Sequence, residues 1–87
     1  MELKGIYKTE TSTLEVYNND KLLFETEVDY DLDFWHGANI DGKEVDFHLT
    51  NDVNGYSLSI YPNVIIDDQG YYSTDTYHYE PVTLIVI

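Results

Sequence analysis

The sequence lacks cysteine and arginine entirely, and it contains a single alanine, Ala38, and a single methionine, Met1. Without cysteine, neither disulfides nor thiolate-bound metals can stabilise the fold. No segment repeats apolar residues at helical spacing for three turns, and good helix formers are scarce, so helices are not expected. A chain of 87 residues has room for one domain, spanning residues 1–87, that depends on its own core for stability.

Positive charge is also scarce. Four lysines stand against 17 aspartates and glutamates, which gives a formal net charge of −13. A field of this sign repels DNA, RNA and anionic membranes, so direct binding of nucleic acid or membrane is not expected. The same field attracts a basic protein surface and speeds encounter with it. Solubility or a saline environment is the alternative reason for such acidity.

Long apolar runs are missing too. None approaches the roughly 20 residues of a transmembrane helix, and Met1 is not followed by a stretch that resembles a signal peptide. The absence of cysteine fits a reducing compartment. The sequence therefore predicts a protein of the cytoplasm, the host cell's cytoplasm if a phage encodes it.

What the chain does contain is typical of β-strands: Tyr, Val, Ile, Phe and Thr dominate it. Turn pairs such as Asp41-Gly42 and Asn54-Gly55 recur at short intervals. This pattern predicts a small all-β domain, an antiparallel β-sandwich or barrel of about six to seven strands with little or no helix. The predicted strands cover residues 3–9, 13–17, 22–34, 44–50, 56–61, 71–79 and 82–87. An irregular bend is expected to begin at Trp35, His36 and Gly37.

The strand predicted over residues 22–34 has the most regular pattern. Its even positions, Leu22 to Phe34, are nearly all apolar, and its odd positions from 25 onward carry five carboxylates: Glu25, Glu27, Asp29, Asp31 and Asp33. Alternate strand residues point to opposite faces, so these carboxylates are expected to form one outward line. Their spacing, roughly 6.6–6.8 Å for every two residues, approximates a run of DNA phosphates. The sequence thus predicts a phosphate-mimicking face, which Asp41, Glu44 and Asp46 would extend; a merely solvated acidic face is the alternative.

Aromatic residues form a second candidate surface. Tyrosine occurs nine times, and the stretch 71–79 concentrates four of these residues. Because tyrosine is frequent at protein interfaces, the expected partner-binding aromatic residues are Tyr71, Tyr72, Tyr77, Tyr79 and Trp35. Tyr30 is a weaker anchor because alternation points it inward. The alternatives are tyrosines that simply fill sheet surface and a glycan-binding module with Trp35 as its platform.

The C-terminal segment from Val82 to Ile87 is apolar at both odd and even positions. This pattern is typical of an internal strand covered on both faces. It also fits a strand that presents one face to the core and the other to an oligomer interface. A homo-oligomeric assembly module is therefore an alternative function.

The sequence contains no complete catalytic or metal-binding motif. Asp29, Asp31 and Asp33 match the first ligands of a calcium-binding EF-hand loop, but Phe34 replaces its glycine and Ile40 its glutamate. The three histidines lack metal-ligand spacing, and no nucleophile elbow or phosphate-binding glycine loop occurs. The sequence predicts no catalytic residue, metal or cofactor, and hence a protein that is not an enzyme. A weak calcium-binding module is the remaining alternative.

In size, charge and compactness the chain is similar to small acidic inhibitor proteins. These include phage anti-restriction and anti-CRISPR proteins, uracil-glycosylase inhibitors and nuclease immunity proteins. The resemblance implies an inhibitor that mimics nucleic-acid phosphate charge and blocks the basic site of a nucleic-acid-binding enzyme or complex. It carries over no functional residue, because no motif supports it.

Overall fold

The computed structural model describes residues 1–87 and contains nine β-strands and no helix. The strands are β1 (Leu3–Lys8), β2 (Thr13–Asn18), β3 (Lys21–Glu27), β4 (Asp33–Ile40), β5 (Lys43–Asp52), β6 (Gly55–Tyr61), β7 (Val64–Ile66), β8 (Tyr72–Thr74) and β9 (Glu80–Val86). The prediction of a small all-β domain is confirmed. A two-stranded sheet, β7 and β8, is separate from the main seven-stranded sheet.

The main sheet is nearly closed into a barrel. Its strand order is β3-β2-β1-β9-β6-β5-β4, and every neighbouring pair is antiparallel except β1 and β9, which are parallel. The two end strands, β3 and β4, face each other without pairing. Side chains close this seam, because the rings of Phe24 on β3 and His36 on β4 lie 4.4 Å apart between centroids.

The core follows from strand alternation. On β5, Val45, Phe47 and Leu49 point inward and are buried. Leu14 and Val16 of β2 do the same from the opposite wall. The closed arrangement thus buries one face of each long strand and leaves the other face for contacts outside the barrel.

Residues 22–34 do not form one strand, and that prediction is wrong. The last residue of β3, Glu27, pairs with Thr13, the first residue of β2, so the ladder has no partner beyond it. The Val28 amide donates a hydrogen bond of 2.7 Å to the Ser12 carbonyl, and the Val28 side chain is buried. The chain therefore leaves the sheet at residues 28–32 and re-enters at Asp33.

The bend expected at Trp35 is instead the middle of β4, which pairs with β5 in unbroken register.

The strand expected over residues 71–79 is confirmed only for Tyr72–Thr74, which form β8, and is wrong for residues 75–79. Asp67 Oδ1 accepts hydrogen bonds from the amides of Gln69 and Tyr71, which stabilises a turn between β7 and β8. Asp75 Oδ1 accepts from the Tyr77 amide and ends β8 in a second turn. We call residues 62–79, this hairpin and its flanks, the flap.

The apolar C-terminal strand β9 lies inside the main sheet. Its residues Glu80 to Val82 pair with β6, and its residues Thr83 to Val86 pair with β1. The end of β9 is not covered, because Ile85 on the outward face, Val86 at the last position of the strand and Ile87 just after it remain exposed.

Candidate functional site

Five carboxylates surround one end of the barrel seam, and we call them the acidic rim: Glu25, Glu27, Asp29, Asp31 and Asp33. The first two lie on the outer face of β3, the next two lie in the connection 28–32, and the last begins β4. The straight line expected from the sequence is wrong, because only Glu25 and Glu27 share a strand. The rim instead follows the chain around the end of the seam.

No lysine lies within ion-pair distance of the rim. The only lysine ion pair joins Lys8 Nζ to Glu15 Oε2 at 3.0 Å. Lys8 holds the pKa of Glu15 below its usual range, and Glu15 raises the pKa of Lys8 in return. Glu15 is the cross-strand partner of Glu25, so the nearest lysine charge is already engaged by another carboxylate. Lys8 also interacts with the charge of Glu25, but no lysine forms a direct ion pair with a rim carboxylate, so the rim keeps a net negative field.

Two rim residues are bonded to the barrel. Asp31 Oδ2 accepts a hydrogen bond of 2.7 Å from the Tyr56 hydroxyl, and this bond raises the pKa of Tyr56 to about 12. Asp33 Oδ1 lies 2.5 Å from His48 Nε2. The first bond attaches the connection 28–32 to β6. The second attaches the start of β4 to β5.

Next to the rim, four rings cross the outer face of β4, β5 and β6. Trp35 stacks on His48, its cross-strand partner, with centroids 3.9 Å apart and planes 11° from parallel. Tyr61 lies 4.9 Å from Trp35, and Tyr79 stacks on Tyr61 at 5.2 Å. We call these residues the aromatic row. Because Asp33 contacts His48, the acidic rim and the aromatic row form one continuous surface.

The sequence indicated Trp35 and Tyr79 but missed His48 and Tyr61. Both join the row through strand register, Trp35 opposite His48 and Asp46 opposite Tyr61. The pairing of β4 with β5 could not be predicted, because a bend and not a strand was expected to begin at Trp35.

A cleft of about 370 Å³ lies between the flap and the outer face of β4 and β5. Its lining residues are Trp35, His36, Gly37, Asp46, Tyr72, Thr74 and Thr76. Gly37 has no side chain, and a Cβ there would stand 3.6 Å from the Tyr72 hydroxyl oxygen. A side chain there would be in ordinary contact with the flap, so the flap lies close to the sheet at this position.

Asp46 is at the bottom of this cleft and is only 4% exposed. Its expected place in an exposed acidic face is wrong, because the flap covers it. The Tyr72 hydroxyl donates to Asp46 Oδ1 at 2.9 Å, and the Thr74 hydroxyl donates to Oδ2. The bond to Asp46 raises the pKa of Tyr72. Tyr72 thus attaches the flap to the barrel.

The remaining predicted acids lie at the opposite end of the seam. Asp41 occupies the β4–β5 turn with a φ of 52°, and Glu44 Oε1 accepts a hydrogen bond of 3.2 Å from the Asn39 side chain. Lys21 and Lys43 begin the neighbouring strands there. Charge at this end is mixed, so it is not part of the rim.

The other predicted aromatic residues are exposed. Tyr71 and Tyr77 extend from the flap into solvent. Tyr30 is exposed as well, contrary to the inward orientation expected from alternation, because residue 30 lies in the connection between β3 and β4. All three side chains are accessible to solvent.

No family model matches the sequence, and no curated protein or solved structure matches it significantly. No group of three or more His, Asp or Glu side chains is arranged to hold a metal ion. The structure contains no helix, and so none that could cross a membrane.

Proposed function

We propose that this chain is a small acidic binding protein that recognises a basic protein and inhibits it by occupying its nucleic-acid site. The acidic rim is the observation that supports this proposal best. Its five carboxylates have no lysine partner and lie on a domain whose formal net charge is −13. Such a field attracts a complementary basic surface and increases the rate of encounter.

A surface built to bind phosphates is the natural complement of the rim. Nucleic-acid sites collect lysine and arginine to neutralise the phosphates of the backbone, so their surface is strongly basic. The rim would match such a site by its charge and not by the regular spacing of phosphates, since only two of its carboxylates share a strand. The protein acts here by occupying a site and needs no catalytic residue or cofactor.

The aromatic residues beside the rim favour a protein as the partner. Strong protein interfaces depend on a few aromatic or arginine anchors surrounded by weaker contacts. Trp35 in the row and the exposed Tyr71 and Tyr77 of the flap supply such anchors. A purely electrostatic ligand, such as a polyamine, would leave this apolar area unused.

Self-association is a second candidate, favoured by the exposed apolar end of β9. Ile85, Val86 and the adjoining Ile87 are exposed there, with Ile87 at 63%. Burial of such a patch in a dimer would be driven by apolar area and would persist at high salt. Sedimentation of the protein at low and high salt tests this candidate, and a monomer under both conditions would exclude it.

The proposal is tested with immobilised protein and the fraction of a cell extract that binds DNA-cellulose. The rim variant carries Glu25→Gln, Glu27→Gln and Asp29→Asn, three exposed residues that lack the bonds by which Asp31 and Asp33 are attached to β6 and β5. The control variant carries Glu2→Gln, Asp20→Asn and Asp68→Asn, which removes the same charge away from the rim. Thermal unfolding of each variant confirms that it folds.

Wild type and control are expected to retain basic proteins at low salt and to release them when duplex DNA is added. The rim variant should retain much less, because it lacks three of the five rim charges. Equal retention by the rim variant would contradict the proposal. Retained proteins that duplex DNA cannot displace would contradict it as well.

A further inference from the structure

Asp46 is a buried carboxylate with no cationic partner. It is 4% exposed, and its hydrogen-bond donors are the neutral hydroxyls of Tyr72 and Thr74. None of the four lysines lies within ion-pair distance of it. Burial of an ionised carboxylate is costly unless its charge is compensated. Each carboxylate oxygen has two lone pairs, so each can accept a further donor beyond the hydroxyl that it binds.

The cleft above Asp46 has walls that attract cations. Trp35 and Tyr72 line it, and the faces of aromatic rings carry negative potential. Trp35 is 41% exposed although it stacks on His48, so part of its surface stays open. Glu44 is on the same outward face of β5 as Asp46, and its charge acts on Tyr72. One buried carboxylate and two rings thus line an open volume, and the charge of Glu44, outside the lining, acts on one of the two rings.

We propose that this cleft binds a guanidinium group, the side chain of an arginine on the partner protein. A planar guanidinium can stack on an aromatic ring and present several donors to a carboxylate, which an ammonium group cannot do in the same geometry. A divalent metal fits this cleft less well, because Asp46 is the only carboxylate in its lining and no group of three or more metal-ligating side chains occurs. The inference rests on the proposed function for the identity of the partner, but the chemistry of the cleft can be tested without that partner.

Trp35 is the only tryptophan of the chain, so its fluorescence reports on the cleft directly. Wild-type protein is titrated with N-acetyl-arginine amide, with the neutral isostere N-acetyl-citrulline amide, and with N-acetyl-lysine amide. The arginine compound should saturate the signal with a dissociation constant on the order of 1–10 mM. The citrulline compound should not bind, and the lysine compound should bind about fivefold more weakly or worse.

Asp46→Asn should weaken arginine binding about tenfold, and Asp68→Asn, in the β7–β8 turn, should leave it unchanged. Because Asp46→Asn also weakens the attachment of the flap, amide NMR of the wild type gives an independent readout. The arginine compound should shift the Gly37, Tyr72 and Thr74 signals. Equal binding of the citrulline compound, unchanged binding by Asp46→Asn, or shifts confined to the rim would overturn the inference.

This test separates the inference from the proposed function. The rim variant keeps the whole cleft, so it should bind the arginine compound as wild type does. If wild type fails to bind that compound, the cleft proposal is wrong and capture of basic proteins by the rim is unaffected. If capture does not depend on the rim, the proposed function is wrong even though the cleft binds guanidinium.

Discussion

Tyr72→Phe is expected to loosen the flap, because it removes one of the two hydroxyls that bond to the Asp46 carboxylate. The flap has little stability of its own, since β7 and β8 are three residues each and an isolated two-stranded hairpin is marginal in water. Its position therefore depends on the bonds from Tyr72 and Thr74 to Asp46.

The size of the effect follows from the charge of the acceptor. A hydrogen bond to a charged group contributes about 1.5–3 kcal/mol, and the phenyl ring leaves Asp46 Oδ1 without its donor in a nearly dry site. In a domain of this size, a loss of about 2 kcal/mol lowers Tm by roughly 8–16 °C when the affected region unfolds together with the rest. If the flap instead opens without the rest of the domain, the lost stability would appear as faster amide hydrogen exchange in β7 and β8.

A double-mutant cycle isolates this bond. Urea unfolding is measured for wild type, Tyr72→Phe, Asp46→Asn and the double variant, with hydrogen exchange of the Ile66 and Tyr72 amides in parallel. The sum of the losses in the two single variants should exceed the loss in the double variant by about 1–2 kcal/mol. Tyr71→Phe is the matched control, because Tyr71 is exposed and its hydroxyl makes no hydrogen bond. Additive losses of stability, together with unchanged amide exchange, would refute the conclusion that the Tyr72–Asp46 bond holds the flap on the barrel.

Two further predictions concern the barrel. Gly5→Ala should lower the free energy of unfolding, measured by urea titration, by about 1–3 kcal/mol. The reason is that the new Cβ would lie 2.5 Å from Leu58 Cδ2. Unchanged or increased stability would show that this contact can relax. The pKa of Tyr56 rises from 10.0 to about 12 on bonding Asp31, so this bond stabilises the fold fully below pH 10 and the stabilisation is lost as pH rises toward 12. The Tyr56→Phe variant should therefore have a lower free energy of unfolding than wild type at neutral pH and should lose less of it between neutral and alkaline pH. If the free energies of unfolding of the two proteins fall in parallel with pH, the Tyr56–Asp31 bond does not contribute to stability.

Local patterns were enough to predict much of the barrel. The Asn54-Gly55 pair predicted the β5–β6 hairpin, and Gly55 adopts the positive φ, 98°, that favours glycine there. Alternation correctly placed Glu25 and Glu27 on the outer face of β3. Such features depend on neighbours in sequence, so they can be read before the fold is known.

The features that the sequence did not reveal depend on distant residues. β3 ends at Glu27 because β2 begins at Thr13, and alternation in residues 22–34 carries no information about that partner. Asp46 is covered by Tyr72, 26 positions away. Gly37 did carry a signal, since a glycine within a strand often marks the close approach of another segment. The row and the cleft follow from this tertiary arrangement.

The most direct test of the acidic rim is the salt dependence of affinity for one purified basic protein retained by the wild type. Calorimetric titrations at about 50 and 200 mM salt compare wild type with the rim and control variants, which carry equal net charge. The rim should account for the binding, so the rim variant should lose roughly tenfold or more in affinity at low salt and show a shallower salt dependence, while the control stays near wild type. Equal losses in the two variants would contradict this account, because binding would then follow the total charge of the domain and not the five carboxylates at the end of the seam.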